Sequence, residues 1–204
     1  DIDLTGWTME DDNGVIDMSF SGVVIPARGF ILIENSEDTV SDIKGDVVDS
    51  SIGLSNTGEQ LVLKDNLGNV IDTVGAPSSP WYAGSSSPVF TMERIKPTGS
   101  GTDPSNWANN DGITRNGLDA DGNPINGTPK SVNSVAEGDT AVYVLIEIQR
   151  SRIEVSGGNP SSTLVEVKLV DENYLIDKTA NYSITLTKTE STGSFTTNPV
   201  SCVN

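Results

Sequence analysis

The pattern that most restricts the fold of this chain is a succession of short apolar runs separated by turn residues. Residues 54–74, LSNTGEQLVLKDNLGNVIDTV, show it best, because the apolar runs 61–63 and 70–71 flank the polar stretch 65–69. Gly68 and Asn69 can adopt the positive φ that reverses a chain. The two runs are therefore predicted to pair as a β-hairpin.

Similar strand signals recur along the chain, each short and rich in β-branched side chains. They lie at residues 29–33, 60–64, 69–74, 89–95, 141–148, 151–155, 163–169 and 182–187. No window of about 11 residues or more shows helical periodicity. The chain is therefore predicted to be all-β, with a β-sandwich architecture.

The composition changes between residues 99 and 134, where Gly, Asn, Asp, Pro and Ser dominate and Trp107 is the one large apolar anchor. Strand patterning resumes at Thr140. We therefore predict a first domain over residues 1–133, a linker over 134–138 and a second domain over 139–204.

The charge of the chain restricts its partners. It has 29 acidic and 12 basic residues among 204, for a net charge of −17. Nucleic acid and anionic lipid are repelled by such a surface, so we expect no nucleic-acid partner. No run approaches the roughly 20 apolar residues that span a bilayer, so we expect no membrane insertion within this sequence.

The chain has no histidine and one cysteine, Cys202. Ser-His-Asp and Cys-His catalysis and His-ligated zinc are thereby excluded. An enzyme of another kind would need acidic residues that converge with a metal ion in a cleft, and the local spacing does not indicate one. We predict that the chain is not an enzyme.

The candidate metal ligands are Asp119, Asp121 and Asn123 in the stretch DADGN. Alternating carboxylate and amide oxygens are typical of loops that bind Ca²⁺, although the EF-hand spacing is absent. The alternative is a turn rich in Asp and Asn that holds no ion. Calcium is the one cofactor that the sequence suggests. The acidic stretch 10–14 is interpreted as a solvated hairpin turn.

Two further kinds of site are predicted. Trp81 and Tyr82 lie on a Pro-, Ser- and Gly-rich loop and are candidates for contact with a partner or a sugar ring; the alternative is packing at the loop base. Asn126 and Asn181 begin Asn-x-Ser/Thr sequons and are candidates for glycosylation.

Four motifs of the first domain occur in the order DLTGWT at 3–8, IPARGFILI at 25–33, LSNTGEQLVL at 54–63 and DNLGNVIDTV at 65–74. In this order they resemble the lamin tail domain, and Trp107 and Thr128-Pro129 match the end of its bacterial and archaeal members. The resemblance implies an immunoglobulin-like sandwich in which Trp7 and Trp107 belong to the core. It also implies a secreted or surface protein.

The family has one or two strands before the DLTGW motif, whereas this sequence begins at the motif. A sandwich without them would have an unpaired edge. The resemblance therefore implies that a cleaved peptide or a neighbouring chain supplies the missing strand, or that the domain tolerates its loss.

Residues 162–171, 182–186 and 193–195 resemble the bacterial immunoglobulin-like repeats of invasin-type adhesins. The Asp-x-Asn-Gly turn of these repeats is altered here to DENY at 171–174. The resemblance implies a second immunoglobulin-like sandwich in tandem, truncated at its C-terminus.

We therefore expect a non-catalytic structural or adhesion module of a larger prokaryotic protein, located outside the cell or on its surface. Its expected partner is a protein or a glycan. The alternative is an accessory domain that targets a secreted nuclease or glycan hydrolase, which the full-length reading frame would reveal.

Overall fold

The computed structural model describes residues 1–138, 143–148, 165–171 and 174–177. The chain divides into two compact units, Asp1–Ala136 and Glu137–Asn204. In the described ranges the regular structure consists of strands and one 3-10 turn at Pro104–Asn106, without an α-helix. The all-β prediction is confirmed, and the arrangement is consistent with a β-sandwich. The predicted strands at 151–155 and 182–187 and the sequon at Asn181 lie outside the described residues.

The first unit is built from short strands. In chain order they are β1 Ile2–Asp3, β2 Thr8–Asp11, β3 Asp17–Ser19, β4 Val24–Ile25, β5 Ile33–Glu34, β6 Val47–Val48, β7 Leu61–Lys64, β8 Val70–Val74, β9 Ser85–Ser86, β10 Val89–Phe90, β11 Met92–Arg94 and β12 Trp107–Asn109.

The largest sheet of this unit is antiparallel and has the strand order β3-β2-β7-β8. The strands β7 and β8, at one end of this sheet, form the hairpin predicted from the sequence, with Leu61 opposite Val74. Gly68 turns the chain with a φ of +82°, whereas Asn69 does not adopt a positive φ. The prediction that both residues reverse the chain was therefore wrong for Asn69.

The core lies under β3 and the DLTGW segment. Leu4, Met18 and Phe20 are at most 5% exposed. Met18 occupies the middle of β3 between two exposed neighbours, as the two-residue period of a strand requires. Burial of such side chains stabilises the fold by about 1.5–3 kcal/mol each. The residues that pack around this centre are Trp7, Met9, Val23, Ile25, Ile31, Ile33, Val47, Ile52 and Leu63.

Two predicted strands are shorter than the sequence pattern indicated. Of residues 29–33 only Ile33 is in a strand. The Leu32 N–H donates to the side-chain carboxylate of Asp46 at 2.7 Å, and not to the backbone carbonyl of a neighbouring strand. The predicted strand at 89–95 is divided into β10 and β11. At the division, the Thr91 N–H and C=O bond to Asn126 and Asn110.

The main element in the described part of the second unit is a strand pair. Strand β13, Tyr143–Ile148, pairs antiparallel with β14, Val165–Val170. Val170 at the end of β14 is fully buried, and the chain then turns at Asp171. In the ranges described here, no helix is long and apolar enough to cross a membrane.

Candidate functional site

The acidic stretches of the first unit form turns in which a carboxylate accepts backbone hydrogen bonds. In the β7–β8 turn, Asp65 Oδ1 accepts from the N–H groups of Leu67 and Asn69 at 2.8 Å each. The Asp65 N–H donates to the Asn69 carbonyl at 2.9 Å and so closes the turn. Hydrogen bonds from Asn69, first among them that of its side chain, hold the pKa of Asp65 below its usual value.

The predicted metal ligands form the same kind of turn. Asp119 Oδ1 accepts from the N–H groups of Asp121 and Asn123 at 3.0 and 2.8 Å. The Asp119 N–H donates to the Asn123 carbonyl at 2.8 Å, and Gly122 has a φ of +80°. Residues 118 and 124 pair as an isolated bridge below the turn. The structure thus brings the three predicted ligands together at the tip of a hairpin.

The donors in this turn shape its chemistry. The Asn123 N–H lowers the pKa of Asp119, and the Asn123 side-chain nitrogen lies 3.4 Å from both Asp119 carboxylate oxygens. Across the described parts of the chain, no three His, Cys, Asp or Glu side chains form a group that could hold a metal ion. Binding of calcium by Asp119, Asp121 and Asn123 stays a prediction.

The second acidic stretch, at residues 10–14, forms the turn of the β2–β3 hairpin. Asp11 Oδ1 accepts from the Gly14 N–H at 2.6 Å. Asp12 reaches further, because its two carboxylate oxygens accept from the N–H groups of Gln60 and Ser78 at 2.8 and 3.2 Å. This turn therefore also fastens two neighbouring loops.

In the first unit, sequence reasoning missed three buried carboxylates, Glu34, Glu59 and Glu93, each at most 3% exposed. Glu59 accepts from the Ser55 N–H and the Asn13 side chain, both at 3.0 Å. The signal in each case is a single acidic residue in or beside a short apolar run. That signal does not show which partners will surround the carboxylate.

Glu93 is the most fully hydrogen-bonded of the three. Its Oε1 accepts from Asn110 Nδ2 at 2.9 Å and from Thr128 Oγ1 at 2.8 Å. Its Oε2 accepts from the N–H and the hydroxyl of Ser134, at 2.8 and 2.6 Å. One carboxylate in β11 thus fixes three points of the long segment 110–134.

Glu34 is the least satisfied of the three, because neither of its carboxylate oxygens has a hydrogen bond of normal distance and angle. Burial raises the pKa of Glu34; the nearby Val40 N–H and Lys130 oppose this effect, and the charge of Glu37 adds to it. Lys130 itself forms an ion pair with Asp46 at 2.8 Å.

The fold places the side chains of the predicted contact residues, Trp81 and Tyr82, in different surroundings. Trp81 is half-buried, and its Nε1 donates to the Ser55 carbonyl at 2.8 Å. The Tyr82 hydroxyl instead donates to the Thr102 carbonyl at 3.2 Å. Trp81 lines a groove of about 890 Å³, and Tyr82 is not among the residues that line it.

This groove, called here the Trp81 groove, is formed by segments that are distant in the sequence. They are the loop 54–57, the paired ends of β7 and β8, the segment 80–86, and the sheet formed by β11 and β12. The lining residues are Leu54, Ser55, Asn56, Thr57, Leu61, Val74, Pro80, Trp81, Ala83, Gly84, Ser85, Ser86, Thr91, Met92 and Trp107.

Trp107, which the family resemblance assigned to the core, is half-buried and lines this groove. Its Nε1 donates to the Gly101 carbonyl at 3.0 Å. The Arg94 guanidinium lies 4.9 Å from the centre of the ring, and an ion pair with Asp72 at 2.7 Å holds it there. One face of this indole is therefore covered by a cation.

At the sequon in the first unit, the Asn126 Nδ2 donates to the Val89 carbonyl at 2.6 Å. The sequon hydroxyl, on Thr128, is buried against Glu93. Attachment of a glycan to the folded chain would have to break the bond to Val89. Glycosylation at Asn126 stays a prediction.

No protein-family model, no curated protein and no solved structure matches this chain. The resemblances to the lamin tail domain and to invasin-type repeats therefore stay predictions, and the function has to be argued from the geometry.

Proposed function

We propose that this chain is a non-catalytic structural or adhesion module of an extracellular or cell-surface protein, made of two immunoglobulin-like sandwiches. The observation that carries the proposal is the use of the acidic side chains. Asp11, Asp65, Asp111 and Asp119 each accept backbone N–H groups of their own turns. These carboxylates stiffen loops on a β scaffold.

The ionisation of these groups supports the same proposal. Backbone N–H donors hold the pKa of Asp111 and Asp119 below the usual value, and hydrogen bonds from Asn69 do so for Asp65. A general acid or base is most effective when its pKa lies near the working pH. A lowered carboxylate pKa moves away from neutrality, which suits a structural acceptor better than a catalyst.

A stiff β unit with ordered loops suits recognition, because binding residues are held in place by the scaffold. In this module the loops and the Trp81 groove face a protein or glycan partner. The resemblances to the lamin tail domain and to adhesin repeats support a location outside the cell or on its surface.

The groove also favours a second function, in which the chain is an accessory domain that targets a secreted nuclease or glycan hydrolase. A groove with two indoles could hold such an enzyme near its substrate. The full-length coding sequence separates the two functions, because the second requires a catalytic domain in the same protein.

The proposal is tested by adhesion and hydrolysis assays on the purified chain. Beads coated with it are expected to bind intact prokaryotic cells or isolated cell envelopes more strongly than beads coated with an equally acidic, unrelated protein. No turnover of phosphodiester, glycoside or ester substrates is expected with Ca²⁺, Mg²⁺ or Mn²⁺. Saturable turnover that follows the chain through purification would contradict the proposal.

A further inference from the structure

We propose that the Trp81 groove binds an uncharged oligosaccharide. This inference rests on the proposed function and names the ligand class of that module. The groove has a volume of about 890 Å³ and is formed within the first unit. That size is in the range typical of small-ligand sites, roughly 300–1,000 Å³.

The first argument is charge. None of the residues that line the groove is Asp, Glu, Lys or Arg, although the chain contains 41 charged residues, 29 acidic and 12 basic. A net charge of −17 elsewhere repels anionic ligands, such as uronic acid polymers, nucleic acid and anionic lipid. A cationic ligand would find no carboxylate in the lining. An electrically neutral ligand is the one that fits this lining.

The second argument concerns the indoles. Trp81 Nε1 is bonded to Ser55, and Trp107 Nε1 is bonded to Gly101, so neither N–H is available to a ligand. What these side chains can offer to the groove is aromatic ring surface: that of Trp81, and the part of the Trp107 ring that Arg94 does not cover. The C–H face of a pyranose ring packs well on such a surface, because the face of an indole carries partial negative charge. The bond to Ser55 also holds the Trp81 ring in place before a ligand binds.

The third argument concerns hydrogen bonds. Sugar hydroxyl groups donate and accept, and they require partners that can do both. Asn56 and Ser86 line the groove, are exposed, and their side chains make no hydrogen bond within the described residues. The hydroxyls of Ser55 and Thr57 bond to each other at 2.9 Å, which leaves lone pairs free. Apolar rings beside neutral polar groups match the two kinds of surface on a saccharide.

The competing occupant is an extended apolar peptide, which the leucine, valine and methionine side chains of the groove would also accept. Neutral hydroxyl and amide groups on the loop 54–57 and the segment 80–86 favour the saccharide. The peptide is therefore an outcome that the experiment must detect.

The experiment measures binding of defined probes to the full chain by calorimetry and by tryptophan fluorescence. The neutral probes are tetrasaccharides of glucose, mannose, xylose and N-acetylglucosamine. A tetrasaccharide of galacturonic acid is the charged comparison, and an uncharged peptide of alternating Val and Thr represents the competing occupant. We expect saturable binding of at least one neutral tetrasaccharide and none of the other two probes.

Three variants locate the binding. Trp81→Ala is expected to weaken saccharide binding roughly tenfold or more, as truncation of an aromatic anchor does. Trp81→Phe keeps a ring without the Nε1 bond and is expected to retain most of the affinity. Tyr82→Ala is the matched control, because it removes the neighbouring aromatic ring outside the groove. Circular dichroism and thermal unfolding establish that each variant is folded.

Four results would overturn the inference: no binding of any neutral probe, equal binding by Trp81→Ala, preference for the charged saccharide, or binding of the peptide alone. Its failure is distinguishable from failure of the proposed function. If coated beads adhere to cells and neither Trp81→Ala nor free saccharide reduces adhesion, the module function stands and the groove inference falls.

Discussion

Gly58 and Gly68 both have φ in the left-handed region, at +95° and +82°, but their surroundings differ. A side chain at Gly58 would collide with the backbone of Ser79 and Pro80. A side chain at Gly68 would meet open space. At Gly58 the chain needs both a positive φ and the absence of a Cβ atom, because this glycine allows two loops that border the Trp81 groove to approach each other.

Replacing each glycine by alanine separates these two requirements. Gly68→Ala is expected to reduce the free energy of unfolding by about 1 kcal/mol, the cost of a left-handed alanine. Gly58→Ala is expected to cost about 3 kcal/mol or more, because the backbone of the neighbouring loop must also move. Urea unfolding of both variants measures the difference, and equal losses would contradict the close approach at Gly58.

The buried Glu34 makes stability depend on pH in an unusual direction. Its pKa is raised in the folded chain from the ordinary 4.5, so the folded state binds the proton more tightly than the unfolded state does. This contribution to stability is therefore present below the ordinary pKa and is lost as pH rises through the raised pKa of the folded state. Asp65 and Asp119, with lowered pKa values, act in the opposite sense at lower pH.

Glu34→Gln removes this titration and leaves the aspartates unchanged. Relative to the wild type, the variant is expected to gain melting temperature as pH rises above 4.5 and through the raised pKa of Glu34, because only the wild type loses the contribution of the protonated carboxyl. Thermal unfolding across this interval measures the difference between the two proteins. A difference that stays constant with pH would show that Glu34 does not titrate in this interval.

At the scale of elements, one turn design occurs at three places in the part of the chain that the structure describes. Asp65, Asp119 and Asp171 each donate their N–H to the carbonyl four residues later. The Oδ1 atom of each aspartate also accepts the N–H of that fourth residue, which is Asn69, Asn123 or Leu175. The position before it has positive φ, taken by Gly68, Gly122 and Tyr174. The turn that begins at Asp171 thus has the same hydrogen bonds as the other two, with Tyr174 in a conformation that costs a non-glycine residue about 1 kcal/mol.

This recurrence allows the calcium prediction to be tested without damage to the fold. Replacing Ala120-Asp121 by the Asn-Leu pair of the β7–β8 turn keeps Asp119, Gly122 and Asn123, and therefore the turn's hydrogen bonds. We expect the melting temperature without calcium to be unchanged. If the turn binds Ca²⁺, the ion raises the melting temperature of the wild type and not of the exchanged chain. Equal shifts in the two proteins would place any bound calcium elsewhere.

The sequence predicts these elements well where the determinants are local. The hairpin of β7 and β8 and the turn at residues 10–14 could be predicted, because apolar alternation and Asp, Asn and Gly act over a few residues. The site could not be predicted in the same way. Trp81 and Tyr82 are adjacent in sequence but bond to Ser55 and Thr102, so their roles depend on long-range packing.

The buried carboxylates illustrate the same limit. Glu93 bonds to Ser134, which is 41 residues away along the chain. A local pattern shows an acid in a short strand but not the hydroxyls that will surround it. For Glu93, distant donors offset the cost of burying the carboxylate, and the folded chain alone shows that they are present.

At the scale of the whole molecule, the net charge of −17 opposes the compact state through self-repulsion. Within the described ranges, the ion pairs that oppose it include Lys64–Glu10, Arg94–Asp72 and Lys130–Asp46, and these three are partly exposed. Pairs of this kind contribute about 0–1 kcal/mol each. We therefore expect repulsion to outweigh pairing in the response to salt.

We expect the melting temperature to rise as NaCl is increased from low concentration to about 0.15 M, where the Debye length falls to about 8 Å. Sucrose at matched osmolality is the control for solvent effects that do not involve charge. A melting temperature that falls with NaCl would mean that the ion pairs contribute more than the repulsion costs.

The three attachments of Glu93 also define how much of the segment 110–134 is open to change. Asn110, Thr128 and Ser134 fix the segment, while between them Ile113 is 86% exposed and residues 119–123 form a solvated tip. Replacements confined to the exposed residues 120–123 leave these attachments intact, together with the bonds of Ser41 and Asp42 to Asp119 and Leu118. The tip is therefore a position at which foreign peptides could be inserted and displayed, because the hydrogen bonds of Glu93 hold the segment on both sides of it.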